Sequence, residues 1–252
     1  FSRYSVDRKW LVPHFEKMLY DNALLAYAYT EGYQMTGEGL FEEVAGKIIT
    51  YMVRDMLSPE GGFYSAEDAD SEGEEGGFYL WSSDEIESVL GREDGELFCS
   101  EYGITDDGNF GGKNIPNLIM SKSHGQDQAA KQRLEKIREK LFEHRQKRIR
   151  PFRDDKILAS WNGLAIGALS YAGRAFGRRS YVEAAQRAAE FILHRLVRDD
   201  GRLLARYKDG EASHPGYLDD YAFFIFGLLE LYGASFNLSY MEKALELAEG
   251  ML

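Results

Sequence analysis

Residues 164–176 read L-A-I-G-A-L-S-Y-A-G-R-A-F, a run in which nearly every side chain is apolar or small. Residues 24–35 and residues 221–236 have the same character. A helix that is apolar on all sides has to be buried on all sides. These three stretches therefore predict three buried helices.

A second kind of helix follows each of these stretches. Apolar residues recur there at helical spacing, with polar residues between them. The sets are Phe41, Val44, Ile48, Met52 and Met56, then Val182, Ala185, Ala189, Ile192 and Leu196, and finally the start of a third set at Tyr240, Ala244, Leu247 and Met251. One apolar stripe indicates a helix with one exposed face, so each buried helix is expected to pair with a half-exposed one.

The resulting hairpins align with one another. Between the first and the second hairpin, one constant offset matches Asn22 with Asn162, Phe41 with Tyr181 and Gly61 with Gly201. Between the second and the third, a shorter constant offset matches Asn162 with Tyr221 and Tyr181 with Tyr240. Such self-similarity indicates an internal repeat.

The arrangement of the repeats indicates the fold class. Buried helices inside half-exposed ones predict an all-α fold, an α/α toroid of the six-hairpin barrel type that is incomplete in this chain. An open α-solenoid shares the alternation of buried and half-exposed helices and is the alternative.

The repeats also define the expected domain. We predict a single domain over residues 1–252, with glycine-rich insertions near residues 58–82 and 102–125 that favour short strands or turns. An extra hairpin is expected from residues 84–90 and 128–148, which gives about eight helices in all. The chain begins at Phe1 rather than Met and ends inside a helical pattern at Leu252, so we expect a fragment.

Charge and cysteine content exclude several classes of function. The formal net charge is −12, and Arg92 is the only basic residue between residues 67 and 107, which argues against nucleic-acid or membrane binding. Cys99 is the only cysteine, so no internal disulfide is expected and a cytoplasmic location is predicted. We expect no cofactor.

An acidic loop invites a calcium interpretation. Asp68, Asp70 and Gly73 fit positions 1, 3 and 6 of an EF-hand loop, but Tyr79 stands where the bidentate Glu belongs. No metal site is therefore predicted. The loop is instead expected to overhang the candidate site, where Asp68 and Asp70 would contact a ligand, with Asp155 at its rim.

Polar and aromatic residues stand at the starts of the three buried helices. In a toroid these starts meet at one end, where free N–H groups favour oxygen-rich ligands. The candidate residues are Tyr20, Asp21, Asn22, Ser160, Trp161, Asn162, Asp219, Asp220 and Tyr221. Aromatic rings would stack on a sugar and carboxylates would bind its hydroxyls. The alternative is that they are ordinary helix caps and core aromatics.

His14 is the candidate proton-transfer group. His14, Lys17 and Asp21 are spaced by three and four positions, which predicts that they share one helical face. Histidine exchanges protons near neutral pH, although a lone histidine is more often structural. His124, His144 and His194 are less favourably placed, and His214 is a second choice.

Four motifs resemble one family. They are W-L-V-P-H-F-E-K-M-L-Y-D-N-A at residues 10–23, G-G-F-Y-S-A-E-D-A-D-S-E-G at 61–73 with F-Y-L-W at 78–81, D-D-K-I-L-A-S-W-N-G-L at 154–164 and G-Y-L-D-D-Y-A-F at 216–223. Together they resemble the spermatogenesis-associated, thioredoxin-domain-containing family. The resemblance implies a thioredoxin-like domain in the full-length protein, followed by a six-hairpin barrel similar to glycosidases and N-acylglucosamine 2-epimerases.

These observations predict a domain that binds a sugar-like small molecule. We favour isomerase or epimerase chemistry, with His14 as base and Asp21 or Asp220 orienting hydroxyls. Glycoside hydrolysis by two carboxyl groups is one alternative. A non-catalytic binding module, or an accessory to the redox domain, is the other.

Overall fold

Helical hairpins make up most of the chain. The computed structural model describes residues 1–121 and 128–251, so His124, the end of the insertion expected near 102–125 and Leu252 lie outside the described residues. The helices are α1 Leu19–Thr36, α2 Gly39–Tyr51, α3 Ser83–Leu90, α4 Arg92–Tyr102, α5 Gln128–Arg145, α6 Ala159–Phe176, α7 Arg179–Arg195, α8 Leu218–Ser235 and α9 Leu238–Met251. A π-helix at Met52–Met56 continues α2.

Eight short strands accompany the helices in the described parts of the chain. They are β1 Lys17–Met18, β2 Ala66–Glu67, β3 Asp70–Ser71, β4 Glu74–Glu75, β5 Arg153–Asp154, β6 Ile157–Leu158, β7 Leu204–Lys208 and β8 Glu211–Pro215. The all-α class predicted from the sequence is confirmed, since the strands serve as connections between hairpins. None of the described helices is both long and apolar enough to cross a membrane.

The three inner helices, α1, α6 and α8, begin where the repeat predicts. Each starts three positions before its member of the matched set Asn22, Asn162 and Tyr221. Each helix has 18 residues, and the residue after each helix has a left-handed backbone. The repeat is therefore confirmed in its boundaries as well as in its pattern.

The predicted burial of the inner helices is confirmed for α6 but is wrong for parts of α1 and α8. Most of α6 is buried. In contrast, Leu24 is 51%, Met35 85% and Leu229 42% exposed. The reason is the position of α6, which packs against both α1 and α8. Within the described residues, α1 and α8 pack mainly against α6, and each keeps an exposed apolar face.

Glycines bring α6 and α8 close together. A Cβ added at Gly163 would lie 2.4 Å from the carbonyl carbon of Phe223, and one at Gly227 would lie 2.5 Å from the Gly163 oxygen. No larger residue fits at these positions, so the two helices pack backbone against backbone.

The connections between hairpins repeat in the same register. β1 pairs with β2 so that Lys17 lies opposite Glu67, and β6 pairs with β7 so that Ile157 lies opposite Tyr207. Both partners in the second pair follow those in the first by the offset that relates Asn22 to Asn162. β5 then joins β2 in the way that β8 joins β7.

A long insertion interrupts the first of these connections. A short turn links β7 directly to β8, whereas residues 68–152 stand at the corresponding place between β2 and β5. Residues 68–82 of the insertion expected near residues 58–82 thus belong to one segment with the extra hairpin expected after it, whereas residues 58–67 lie in the first unit. This segment is an enlarged hairpin turn.

The chain folds as two compact units. The first comprises Phe1, Lys17–Glu67 and Arg153–Leu252, and the second comprises Ser2–Glu16 and Asp68–Phe152. The second unit contains α3, α4 and α5 around Trp81, Ile86, Phe98, Ile104, Ile137 and Leu141. The described residues form nine α-helices, one more than predicted. The missed helix is α4, whose charged first turn and Gly95 hide its apolar spacing.

Candidate functional site

The three residues expected on one helical face do not share a helix. α1 begins at Leu19, so only Asp21 lies within it. Lys17 lies in β1, where the backbone pairs with β2. Because this pairing holds the chain extended up to the helix start, the prediction of one face carrying His14, Lys17 and Asp21 is wrong.

His14 lies in the second unit. Its ring stacks on Tyr4, with centroids 4.9 Å apart and planes 5° apart. Its Nδ1 is 3.8 Å from Glu16 Oε2, and its backbone N–H donates to the Tyr4 carbonyl at 2.9 Å. Glu16 is thus a carboxylate neighbour of the His14 ring within the second unit.

Lys17 is directed towards an outer helix. Its Nζ lies 5.8 Å from the centroid of the Tyr51 ring, and the Tyr51 hydroxyl donates to Glu67 Oε2 at 2.7 Å. Glu67 is only 5% exposed and lies opposite Lys17 in the sheet. This buried carboxylate was not among the candidates, although it opens the acidic stretch from which Asp68 and Asp70 were chosen.

Asp68 and Asp70 are exposed residues of the second unit. Asp68 Oδ1 accepts from the Ala69 N–H at 2.6 Å, and Asp70 pairs with Glu75 between β3 and β4. The acidic loop is thus a β-hairpin rather than a helix–loop–helix calcium site. Among the described residues, no group of three or more His, Cys, Asp or Glu side chains could hold a metal ion.

Asn162 joins the second hairpin to the connection before it, and Asn22 makes matching bonds at the start of the first hairpin. Asn162 Oδ1 accepts from the Phe63 N–H at 2.7 Å, and its Nδ2 donates to the carbonyls of Phe63 at 3.0 Å and Leu158 at 2.9 Å. Asn22 makes the equivalent bonds to Phe1 and Met18. Both amides are fully buried and use both polar atoms, so the proposed site does not include them.

Asp220 and Tyr221 perform the same task one hairpin later. Asp220 Oδ1 accepts from the Ser160 N–H at 3.0 Å and its Oδ2 from the Tyr217 N–H at 2.9 Å, which joins the starts of α6 and α8. The Tyr221 hydroxyl accepts from the Leu203 N–H at 2.9 Å. These residues match the capping alternative, and we assign them a positioning role.

Tyr20 and Trp161 are partly accessible aromatic residues at the starts of α1 and α6. Their rings meet edge to face with centroids 4.8 Å apart, and both are half-buried. Asp21, next to Tyr20, is half-buried, and Asp219 is exposed on α8. Aromatic faces beside carboxylates suit a polyhydroxylated ligand.

Asp155 was expected at the rim of the site and is engaged by a lysine. Its Oδ1 lies 3.1 Å from Lys208 Nζ, and this carboxylate raises the pKa of Lys208. The ion pair joins the loop before β6 to the end of β7. Asp155 therefore has a structural partner in the first unit, and its contact with a ligand stays a prediction.

Cavities lie elsewhere in both units. In the first unit, a cavity of about 910 Å³ lies between the π-helix with its following loop and α7, with Glu60, Arg187 and His194 in its wall. In the second unit, a cavity of about 600 Å³ includes Glu85 and Arg148. Neither cavity is lined by the inner-helix starts.

Comparison with solved structures identifies the fold. The cellobiose 2-epimerase of Spirochaeta thermophila superposes with a TM-score of 0.55 at 11% identity, covering 94% of this chain and 43% of the epimerase. A family 76 glycoside hydrolase (mannosidase) of Bacteroides thetaiotaomicron gives a TM-score of 0.51 at 10% identity, covering 94% of this chain and 44% of the mannosidase. The fold is therefore that of the six-hairpin glycosidases and epimerases.

Comparison of sequences agrees with the resemblance of the motifs. No family model matches the chain. Human spermatogenesis-associated protein 20 is 37% identical over 99% of this chain, which spans 37% of the length of that relative. The chain is therefore similar over its whole length to part of spermatogenesis-associated protein 20, within a six-hairpin glycosidase and epimerase fold.

Proposed function

We propose that the first unit binds a sugar-like ligand at the starts of its inner helices. The observation that carries this proposal is the half-buried Tyr20–Trp161 pair, which joins α1 and α6 with Asp21 beside it. A ring face contributes stacking to an apolar sugar surface, and a carboxylate accepts from hydroxyl groups. The sugar-active solved structures of the same fold are in keeping with this proposal but leave the ligand open.

The binding proposal is tested by ligand-induced stabilisation. A ligand that binds only the folded state raises the midpoint of thermal unfolding, by an amount that grows with its concentration. We expect at least one reducing sugar of a panel to stabilise the protein, and we expect Trp161→Ala to abolish this effect.

The matched control for Trp161→Ala is Phe176→Ala. Phe176 lies at the other end of α6 and also contacts α1, where its ring meets Tyr33 edge to face with centroids 5.3 Å apart. Its removal costs a similar aromatic contact but leaves the proposed site intact. Equal loss of sugar-induced stabilisation in both variants, or no stabilisation of the wild type, would overturn the proposal.

For the reaction, we propose isomerase or epimerase chemistry with His14 as base. Two observations support it over hydrolysis. Asp220 has both carboxylate oxygens engaged by backbone N–H groups and is 3% exposed, which removes one candidate for a pair of catalytic carboxyls and leaves Asp21 to orient hydroxyls in the proposed reaction. The His14 ring, whose residue type suits proton transfer near neutral pH, has the Glu16 carboxylate 3.8 Å from its Nδ1. Hydrolysis and binding without catalysis are the competing outcomes.

We further propose that a thioredoxin-like domain accompanies this domain in a cytoplasmic full-length protein. The resemblance of the four motifs supports the proposal. Sequencing of the complete coding region and fractionation of cells expressing it test the two parts separately.

A further inference from the structure

Four side chains of the inner helices meet at a distance from the Tyr20–Trp161 pair. Tyr27 of α1 stacks on Tyr171 of α6, with ring centroids 4.3 Å apart and planes 13° apart. The Tyr27 hydroxyl donates to Glu230 Oε1 of α8 at 3.3 Å, and Arg174 Nη2 of α6 lies 3.3 Å from Glu230 Oε2. We call Tyr27, Tyr171, Arg174 and Glu230 the tyrosine–glutamate cluster.

The cluster spans three helices because α6 carries a glycine where α8 packs against it. A Cβ added at Gly167 would lie 2.4 Å from the Phe226 ring of α8, so only glycine lets that ring approach. The Tyr27 ring lies 5.7 Å from the Phe226 ring. Side chains of α1 and α8 therefore meet over α6.

The cluster remains open to solvent. The Arg174 side chain is 44% and the Glu230 side chain 19% exposed, and both tyrosines are half-buried. Burial, with the nearby Glu230 charge, raises the pKa of Tyr27 to about 12, so this phenol keeps the hydrogen that it donates to Glu230. Donors, an acceptor and ring edges are thus presented together, and charged groups of this kind form the stronger hydrogen bonds.

Tyr27 lies on the same side of α1 as Tyr20. The two residues are seven positions apart, or nearly two helical turns, which corresponds to about 10 Å along the axis. Both rings contact α6, through Trp161 and Tyr171 respectively. A single sugar ring is shorter than this separation, whereas a chain of sugars can contact both places.

We infer that the tyrosine–glutamate cluster is a second contact site for the same ligand, and that this ligand is an oligosaccharide lying along α1 and α6. The inference rests on the proposed function, because it extends the sugar site at Tyr20 and Trp161. The competing explanation is that the cluster only fastens three helices together.

The test compares ligands of different length in the same variant. Dissociation constants of glucose and cellotriose, and of mannose and mannotriose, are measured by calorimetry. The trisaccharide of at least one pair should bind about tenfold or more tightly than its monosaccharide, since one hydrogen bond to a charged group corresponds to that factor. Glu230→Gln should remove about tenfold of this gain and leave monosaccharide affinity unchanged.

Glu183→Gln is the matched control. Glu183 forms an arginine–glutamate pair on the outer helix α7, with Arg179 Nε 2.9 Å from Glu183 Oε1. It makes the same charge change away from the inner helices. Tyr27→Phe, which keeps the ring and removes the hydroxyl, should reduce the gain by a smaller factor. Because the gain is a ratio within one variant, any population of unfolded protein lowers both affinities equally and cancels.

The outcomes separate the two proposals. Monosaccharide binding with no gain for trisaccharides, or a gain that Glu230→Gln leaves intact, overturns the inference and leaves the proposed function standing. Absence of binding by sugars of either length overturns both.

Discussion

Asn22 and Asn162, at equivalent positions of two hairpins, make the same hydrogen bonds. In each, Nδ2 donates to the carbonyl four positions earlier at 2.9 Å. The same amide also bonds the backbone nitrogen and oxygen of one more distant residue, which is Phe1 for Asn22 and Phe63 for Asn162. The first two hairpins are thus linked by a buried amide, that of Asn162, at a position that resembles a ligand contact in the sequence.

We predict that Asn162→Ala destabilises the protein strongly. It leaves the buried N–H and C=O groups of Phe63 without their partner, which should lower the free energy of unfolding by about 2–4 kcal/mol. Urea denaturation measures the change. Asn237→Ala, which removes an exposed cap at the start of α9, should cost about 1 kcal/mol. Equal losses in the two variants would show that the Asn162 amide does not join the hairpins.

We predict opposite effects for alanine at two helical glycines. Gly163→Ala places a Cβ against the Phe223 backbone and should destabilise by about 2–3 kcal/mol through overpacking. Gly46→Ala places its Cβ 3.6 Å from the Tyr181 hydroxyl, an ordinary contact, and should stabilise by about 0.5–1 kcal/mol. Thermal and urea unfolding check both signs. A stabilising Gly163→Ala would contradict the close packing of α6 and α8.

Much of the fold could be predicted from the sequence because burial repeats along it. The two offsets that align the hairpins recur in the helix boundaries, and the first of them recurs in the strand register. The exposed faces of α1 and α8 could not be predicted, because an apolar helix is buried only where a neighbour covers it. Leu24 and Met35 have no such neighbour among the described residues.

The candidate site was less predictable, because the role of a polar residue depends on distant partners. Asn162 bonds to Phe63, 99 positions earlier, and Asp220 bonds to Ser160, 60 positions earlier. Nothing in the local sequence distinguishes these contacts from ligand contacts. The pairing of β1 with β2, which separates Lys17 from Asp21, is likewise a long-range effect.

We predict that stability falls at alkaline pH through two tyrosines. Burial raises the pKa of Tyr27 and of Tyr240 from 10.0 to about 12, with Glu230 and Glu190 respectively contributing. The folded state therefore holds these protons more tightly than the unfolded state, so their contribution is complete below pH 10 and is lost as the pH rises towards 12. Urea unfolding at pH 9 to 12 should show a smaller decline for Tyr240→Phe than for the wild type. Parallel declines would contradict this assignment.

We predict that His14→Ala lowers proton exchange on the bound sugar. In deuterated water an isomerase or epimerase exchanges the hydrogen on the carbon next to the carbonyl, and loss of a general base should slow this by about 100-fold or more. NMR of the sugar measures the rate. His194→Ala, which removes an exposed histidine of α7, is the control. Undiminished exchange in His14→Ala would remove His14 from the mechanism, and release of a new reducing end instead would favour hydrolysis.

The most direct measurement of the central claim is the fluorescence of Trp161 during sugar titration. The chain has three tryptophans, so Trp10→Phe combined with Trp81→Phe leaves Trp161 as the only one. If a sugar stacks beside the Tyr20–Trp161 pair, adding it should shift the Trp161 emission and protect Trp161 from quenching by acrylamide. Both changes should be half complete at the sugar concentration that gives half of the thermal stabilisation. Unchanged emission and quenching at sugar concentrations that fully stabilise the protein would contradict the claim that the ligand binds at the inner-helix starts.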